Sequence, residues 1–160
     1  MALLTNRDRE YLRILYLLKG KNQPVGPVKL SKKLGVSKVC AFQKMHRLQA
    51  LGYGTYLLRN GLKLNSKAIS IVEQDVKRHH IIEAFLQKKL GLTHKQACIE
   101  AEQLDQSMSQ SLFNKINTKE TISSQSCCGY NLTHKLKVSD LKNCPWIQRS
   151  LCKTEDGEKA

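Results

Sequence analysis

Residues 34–68 read LGVSKVCAFQKMHRLQALGYGTYLLRNGLKLNSKA, and the fold class follows from them. Gly35 permits a tight turn and Ser37 is a helix N-cap. Ala41, Met45 and Leu48 then recur at i, i+4, i+7, so a helix from Ser37 to about Leu51 carries one apolar face. Lys38, Val39, Phe42, Gln43 and His46 point the other way. Residues 52–64, GYGTYLLRNGLKL, form two short strands joined by Asn60-Gly61. Asn-Gly is the preferred type I′ hairpin dipeptide because both residues tolerate positive φ. A helix, a turn, a second helix and a hairpin in this order predict a winged helix-turn-helix.

On the N-terminal side, Thr5 can cap a first helix with Asp8 as its acidic N3 partner, and Tyr11, Ile14, Leu15 and Leu18 give a buried stripe. Gln23-Pro24-Val25-Gly26-Pro27 breaks that helix. A short one follows over VKLSKKL, burying Leu30 and Leu34. On the C-terminal side, an Asn65/Ser66 cap opens a long helix to about Leu90, with Val72, Val76, Ile82, Leu86 and Leu90 along one side. Gly91 ends it. Thr93 caps a helix through about Gln106 with the apolar stripe Ala97, Ala101, Leu104 and Met108, and Ser109 caps another over 110–117. From Thr118 the composition turns polar and the tail reads as irregular. The expected protein is mainly α: a winged helix-turn-helix (1–70), a helical dimerisation and metal-binding domain (71–118), and a cysteine-containing tail (119–160).

Of the formal net charge of +14, residues 1–70 hold 14 Lys/Arg against only Asp8 and Glu10. An excess concentrated on one half is the footprint of a surface that faces polyphosphate, here double-stranded DNA. The predicted recognition helix offers Gln43 to adenine edges and Val39, Cys40 and Phe42 to thymine methyls. Ser37, Lys38, Lys44 and Arg47 suit phosphates, and Arg59 and Lys63 on the wing reach an adjacent backbone. No apolar run approaches the ~18 residues that span a membrane, and no secretory signal is legible, so the expected location is cytoplasmic. No nucleophile–base pair or phosphate loop is legible either, so an enzyme is not expected.

Residues 77–109, KRHHIIEAFLQKKLGLTHKQACIEAEQLDQSMS, carry ligand-type side chains at helical spacing. His79 and Glu83 are i, i+4; Cys98, Glu102 and Asp105 are i, i+4, i+7. Such residues stack on one helix face, and two such faces can enclose an ion. The competing reading is a surface pair and a solvated face. His46, His80 and His134 are assigned no metal role.

Residues 7–109 resemble the diphtheria-toxin-repressor/manganese-repressor family of metalloregulators. The resemblance rests on EYLRILYLL at 10–18, the LGVS–K-RL–LGY pattern at 34–53, the hairpin running into LNSKA, and RHHIIEAFLQKKLGL followed by EAEQLDQSMS. It implies a homodimer whose Fe(II)- or Mn(II)-type effector bridges the DNA-binding and dimerisation halves, so that the loaded protein represses metal-homeostasis genes. By position it implies Glu10, His79, Glu83, Cys98, Glu102, Asp105 and Gln106 as ligands. Gln106 and Cys98 stand where members of the family carry histidine, and Arg13 stands where manganese-type members are acidic. The resemblance also implies a short form, with the tail in place of an SH3-like domain.

The chain's six cysteines, in a reducing compartment, argue for thiols or metal ligands rather than disulfides. Cys127, Cys128, Cys144 and Cys152 are enough thiolates for a structural Zn2+ or an iron–sulfur cluster, with Cys98 able to join; unrelated thiols are the alternative. Part of the sensing would then move to a thiolate centre. Two other functions stay open: a metal-free thiol-redox regulator, and a basic nucleic-acid-binding protein with no effector.

Overall fold

Caps set the helix boundaries in the computed structural model, which describes residues 3–118, 126 and 128–151. Thr5 and Asp8 form a reciprocal capping box at the start of α1 (Asn6–Leu17). Pro27 at the first turn starts α2 (Pro27–Leu34), and Gly35, in the left-handed conformation, ends it. Ser37 accepts from the Cys40 amide at the start of α3 (Lys38–Ala50). Strands β1 (Gly54–Leu57) and β2 (Gly61–Leu64) pair antiparallel, Gly54 opposite Leu64 and Leu57 opposite Gly61. The long helix α4 (Ser66–Leu90) follows, then α5 (His94–Ser107) and α6 (Gln110–Ile116). The fold is a mainly helical one with a two-stranded wing, and it falls into two units: Met1–Val72 with the chain from Ile147, and Glu73–Trp146.

In the first unit Ala41, Met45 and Leu48 are fully buried, as their spacing predicts. Helix α1 is more enclosed than its predicted stripe, because every residue from Tyr11 to Leu17 is buried, while Leu18 becomes the C-cap. The hairpin turn differs from expectation. The Asn60 amide bonds the Leu57 carbonyl at 3.0 Å, and the positive φ values fall on Arg59 (65°) and Gly61 (104°), not on Asn60. Gly61 is needed for a second reason. Val25 exchanges two backbone hydrogen bonds with Leu62 (2.9 and 3.0 Å), and a Cβ on Gly61 would lie 2.0 Å from the Val25 carbonyl oxygen.

In the second unit Val76, Ile82 and Leu86 line the buried side of α4, but Leu90 is 62% exposed, since the helix has run past its partners. The buried face of α5 is Ala97, Cys98 and Ala101; Leu104, predicted as core, is 37% exposed. Thr93 and Gln96 form a capping box at the start of α5. Thr93→Ala should cost about 1 kcal/mol in urea denaturation, and a loss below ~0.3 kcal/mol would show the cap to be redundant. The described part of the tail is not irregular: it holds α7 (Val138–Lys142) and α8 (Pro145–Arg149), with Tyr130, Leu132, Leu136, Leu141 and Trp146 buried. Five-residue helices show no readable periodicity, so the sequence hid them. Among the described residues no helix is long and apolar enough to cross a membrane.

Candidate metal centre and nucleic-acid interface

The outer face of α3 presents Ser37, Lys38, Val39 and Gln43 to solvent, and Arg59 and Lys63 are exposed on the hairpin. Phe42 is partly exposed and packs against His46 (centroids 4.3 Å) and Tyr56 (5.6 Å), which ties α3 to β1. Cys40 is turned toward α1, its Sγ 3.6 Å from the Tyr11 hydroxyl. Burial, then the Cys40 contact, pushes that hydroxyl up to about 12, so it stays protonated.

Lys44 and Arg47 are not on the open face. Both reach back to Asp8, Lys44 Nζ at 2.8 Å and Arg47 Nε and Nη2 at 3.1–3.2 Å. Asp8 has no exposed surface. Burial works to raise its carboxyl pKa, but the hydrogen bonds from Arg47, Lys44 and Thr5 outweigh it and hold the carboxyl well below the usual range. The two cations expected at phosphates therefore begin as internal ion-pair partners.

The ligand-type residues converge in the second unit. His79 and Glu83, one turn apart on α4, face Cys98 on α5, with Cys98 Sγ 3.6 Å from His79 Nε2. One ligand atom from each lies within 4.8 Å of the others, and all three side chains are fully buried. Burial lowers the pKa of His79 and outweighs the Cys98 contact, which favours the neutral imidazole a metal requires. Trp146 stacks on the His79 ring (4.1 Å, 13°), and Glu83 Oε1 lies 3.3 Å from His94 Nε2. An imidazole, a carboxylate and a thiol gathered without exposed surface are costly to bury unless something shares their lone pairs. His79 Nδ1 has no hydrogen-bond partner among the described residues. The mixed N, O and S donor set fits a divalent transition-metal ion.

The other predicted ligands are placed differently. Asp105 is paired with Arg78, which also bonds Gln110 Oε1 (3.0 Å) and the Met108 carbonyl (2.9 Å) and lies 4.3 Å over the Phe113 ring. That arginine locks α4 to the α5–α6 corner. Glu102 is half-buried and, with Asp105, does not join the His79 cluster; Gln106 is exposed. Glu10, in the other unit, pairs with Arg7.

His80 has a role that sequence reasoning missed. Its Nδ1 is 2.7 Å from the Val76 carbonyl, and its Nε2 is 2.9 Å from Cys128 Sγ and 3.6 Å from Cys144 Sγ. These three form a further cluster with ligand-type spacing. Nothing local could have revealed it, because the partners lie 48 and 64 residues away. Cys127 and Cys152 lie outside the described residues.

Comparison with known proteins agrees with both halves. A family model described as "Iron dependent repressor, N-terminal DNA binding domain" matches residues 3–62. Another, "Iron dependent repressor, metal binding and dimerisation domain", matches residues 66–119. An uncharacterized HTH-type transcriptional regulator of Methanocaldococcus jannaschii is 30% identical over 108 residues, 67% of this chain and 86% of that one. Among solved structures, a hypothetical protein of Sulfolobus solfataricus shares the fold (TM-score 0.70, 18% identity), covering 82% of this chain and 100% of that one. ScaR with bound Zn2+ shares it at TM-score 0.68 and 22% identity, over 80% of this chain and 60% of its own.

Proposed function

The chain belongs to the iron-dependent repressor family, and from that premise we propose that it is a homodimeric, metal-responsive repressor whose effector is held by His79, Glu83 and Cys98. The observation that carries the reading is the convergence of these three buried side chains inside the segment that matches a metal-binding domain. The effector is an Fe(II)- or Mn(II)-class ion, and the Cys98 thiolate favours the softer Fe(II). When bound, the ion supplies positive charge and coordination that satisfy the buried donors.

The chain's own residues do the rest. His79 and Glu83 on α4 and Cys98 on α5 come to their ligand positions only when the two helices are held together, so binding favours one arrangement over looser ones. Helix α4 starts at Ser66, two residues after β2 ends at Leu64, so the helix with two ligands is covalently continuous with the wing. On DNA, Gln43 reads a base edge, Val39 and Phe42 supply apolar contacts, and Ser37, Lys38, Arg59 and Lys63 bind phosphates. Lys44 and Arg47 contribute positive potential from their places on Asp8. Leu90, Leu104 and Leu112, large and exposed, supply apolar surface for the homodimer in the unit matched by the dimerisation model.

The test is selection of duplexes from a random-sequence pool with Fe(II)- or Mn(II)-loaded protein, followed by titration with and without chelator. Metal should tighten binding to the selected duplex at least ~10-fold, a coupling of about 1.4 kcal/mol. If loading changes neither affinity nor the selected sequence, the protein is not metal-responsive.

A further inference from the structure

We propose that His80 Nε2, Cys128 Sγ and Cys144 Sγ form a second cation site, separate from His79, Glu83 and Cys98, that takes a zinc-class divalent ion and staples the segment around residues 128–146 onto α4. Three features of the cluster argue for it. The first is the orientation of His80. The Val76 carbonyl can only accept, so Nδ1 carries a proton and Nε2 is directed at both sulfurs. A histidine turned by a backbone carbonyl on its far nitrogen is the usual preparation of an imidazole ligand.

The second is spacing. A tetrahedral zinc with N and S ligands at ordinary bond lengths separates them by roughly 3.5 Å. Cys144 Sγ is already 3.6 Å from Nε2, and Cys128 Sγ, at 2.9 Å, needs to withdraw by only about half an ångström to admit the ion. All three ligand atoms lie within 4.8 Å of one another.

The third is access. His80 and Cys144 are fully buried while Cys128 is half-exposed, which leaves one side open for entry and for a fourth ligand from solvent.

The site borders the first one. Cys128 Sγ is also within 4.8 Å of ligand atoms of Glu83 and His94, and Trp146, two residues past Cys144, stacks on His79. Loading at the cysteines therefore fixes the indole that roofs the effector site. Trp146 is the only tryptophan of the chain, so its fluorescence reports on both sites.

The test uses the whole reduced chain without oxygen, with Co(II) and Zn(II) as probes. Co(II) should give thiolate-to-metal charge-transfer and tetrahedral ligand-field absorption that survives in part in Cys98→Ser, where the first site has lost its thiol, and disappears when Cys144→Ser is added to that variant. His80→Gln should weaken Zn(II) binding in chelator competition at least ~10-fold. In the unmutated chain, which avoids any folding defect of the variants, Zn(II) should slow alkylation of Cys128 and Cys144 at least tenfold by peptide mapping. Absorption that vanishes in Cys98→Ser, or that persists when both Cys98 and Cys144 are replaced, would overturn the assignment. So would alkylation rates indifferent to Zn(II), or purification of these cysteines with iron and acid-labile sulfide.

Discussion

Glu83→Gln should abolish the metal response while leaving the metal-free protein as stable as before, or more so. The carboxylate is fully buried beside the neutral His79 imidazole, with His94 Nε2 3.3 Å away. The amide keeps its volume and removes a charge-bearing group from an interior that disfavours charge, so the apo protein should gain between zero and ~2 kcal/mol in urea denaturation. It also leaves a weak neutral oxygen where an anionic ligand stood. Loss of a partner one shell further out typically costs 10–100-fold in affinity, so loss of a direct ligand should cost ~100-fold or more. Chelator competition with Fe(II) or Mn(II) reads the affinity, and fluorescence anisotropy on the selected duplex reads the consequence. DNA affinity should then equal that of the unloaded chain at every metal concentration. The two readouts separate a ligand from a merely structural residue, because a structural role predicts loss of apo stability with metal affinity intact. That opposite pattern would remove Glu83 from the site.

How much of this was legible from residues alone depended on the range of each interaction. The caps Thr5, Ser37, Thr93 and Ser109 all operate within three residues, and the sequence placed each of them. His79 and Glu83 share a face by spacing, and α5 brings Cys98 to it after a short turn. What spacing could not show were distant partners. Asp105 is held by Arg78, 27 residues earlier. Lys44 and Arg47 close on Asp8 across 36 and 39 residues. Gly61 takes the positive φ expected of a turn glycine, but its missing Cβ also makes room for Val25, 36 residues earlier. His80 differs from its neighbour by about 100° around α4, enough to point it at cysteines in a tail whose short helices leave no periodic trace. Local chemistry is written in spacing; a partner dozens of residues away is written only in the folded chain.

Asp8→Ala should produce an unusual pair of effects, a large loss of stability together with stronger, less selective DNA binding. Asp8 accepts from the Thr5 amide at 3.0 Å as part of the α1 capping box, and from Lys44 and Arg47 on the recognition helix. Truncation removes a cap and leaves two cations without their buried counter-charge. Breaking a buried pair costs ~3–5 kcal/mol; Arg47 keeps 37% of its side chain exposed, so about 3 kcal/mol is the reasonable expectation. The same ion pair sets an acid limit. The folded-state carboxyl is held below its unfolded value, so its contribution is present in full above the ordinary carboxylate pKa near ~4 and is lost as pH falls below that. In wild type the urea midpoint should drop over that acid range, whereas the Asp8→Ala profile should be flatter there. On DNA, the freed Lys44 and Arg47 become available to phosphates. The slope of log affinity against log salt should then steepen by up to ~2 for random-sequence duplex. A stability loss under ~1 kcal/mol, or a salt slope unchanged from wild type, would mean that Asp8 does not restrain the recognition helix and that Lys44 and Arg47 already reach the backbone. If both effects appear, the aspartate trades non-specific grip for a fixed recognition helix.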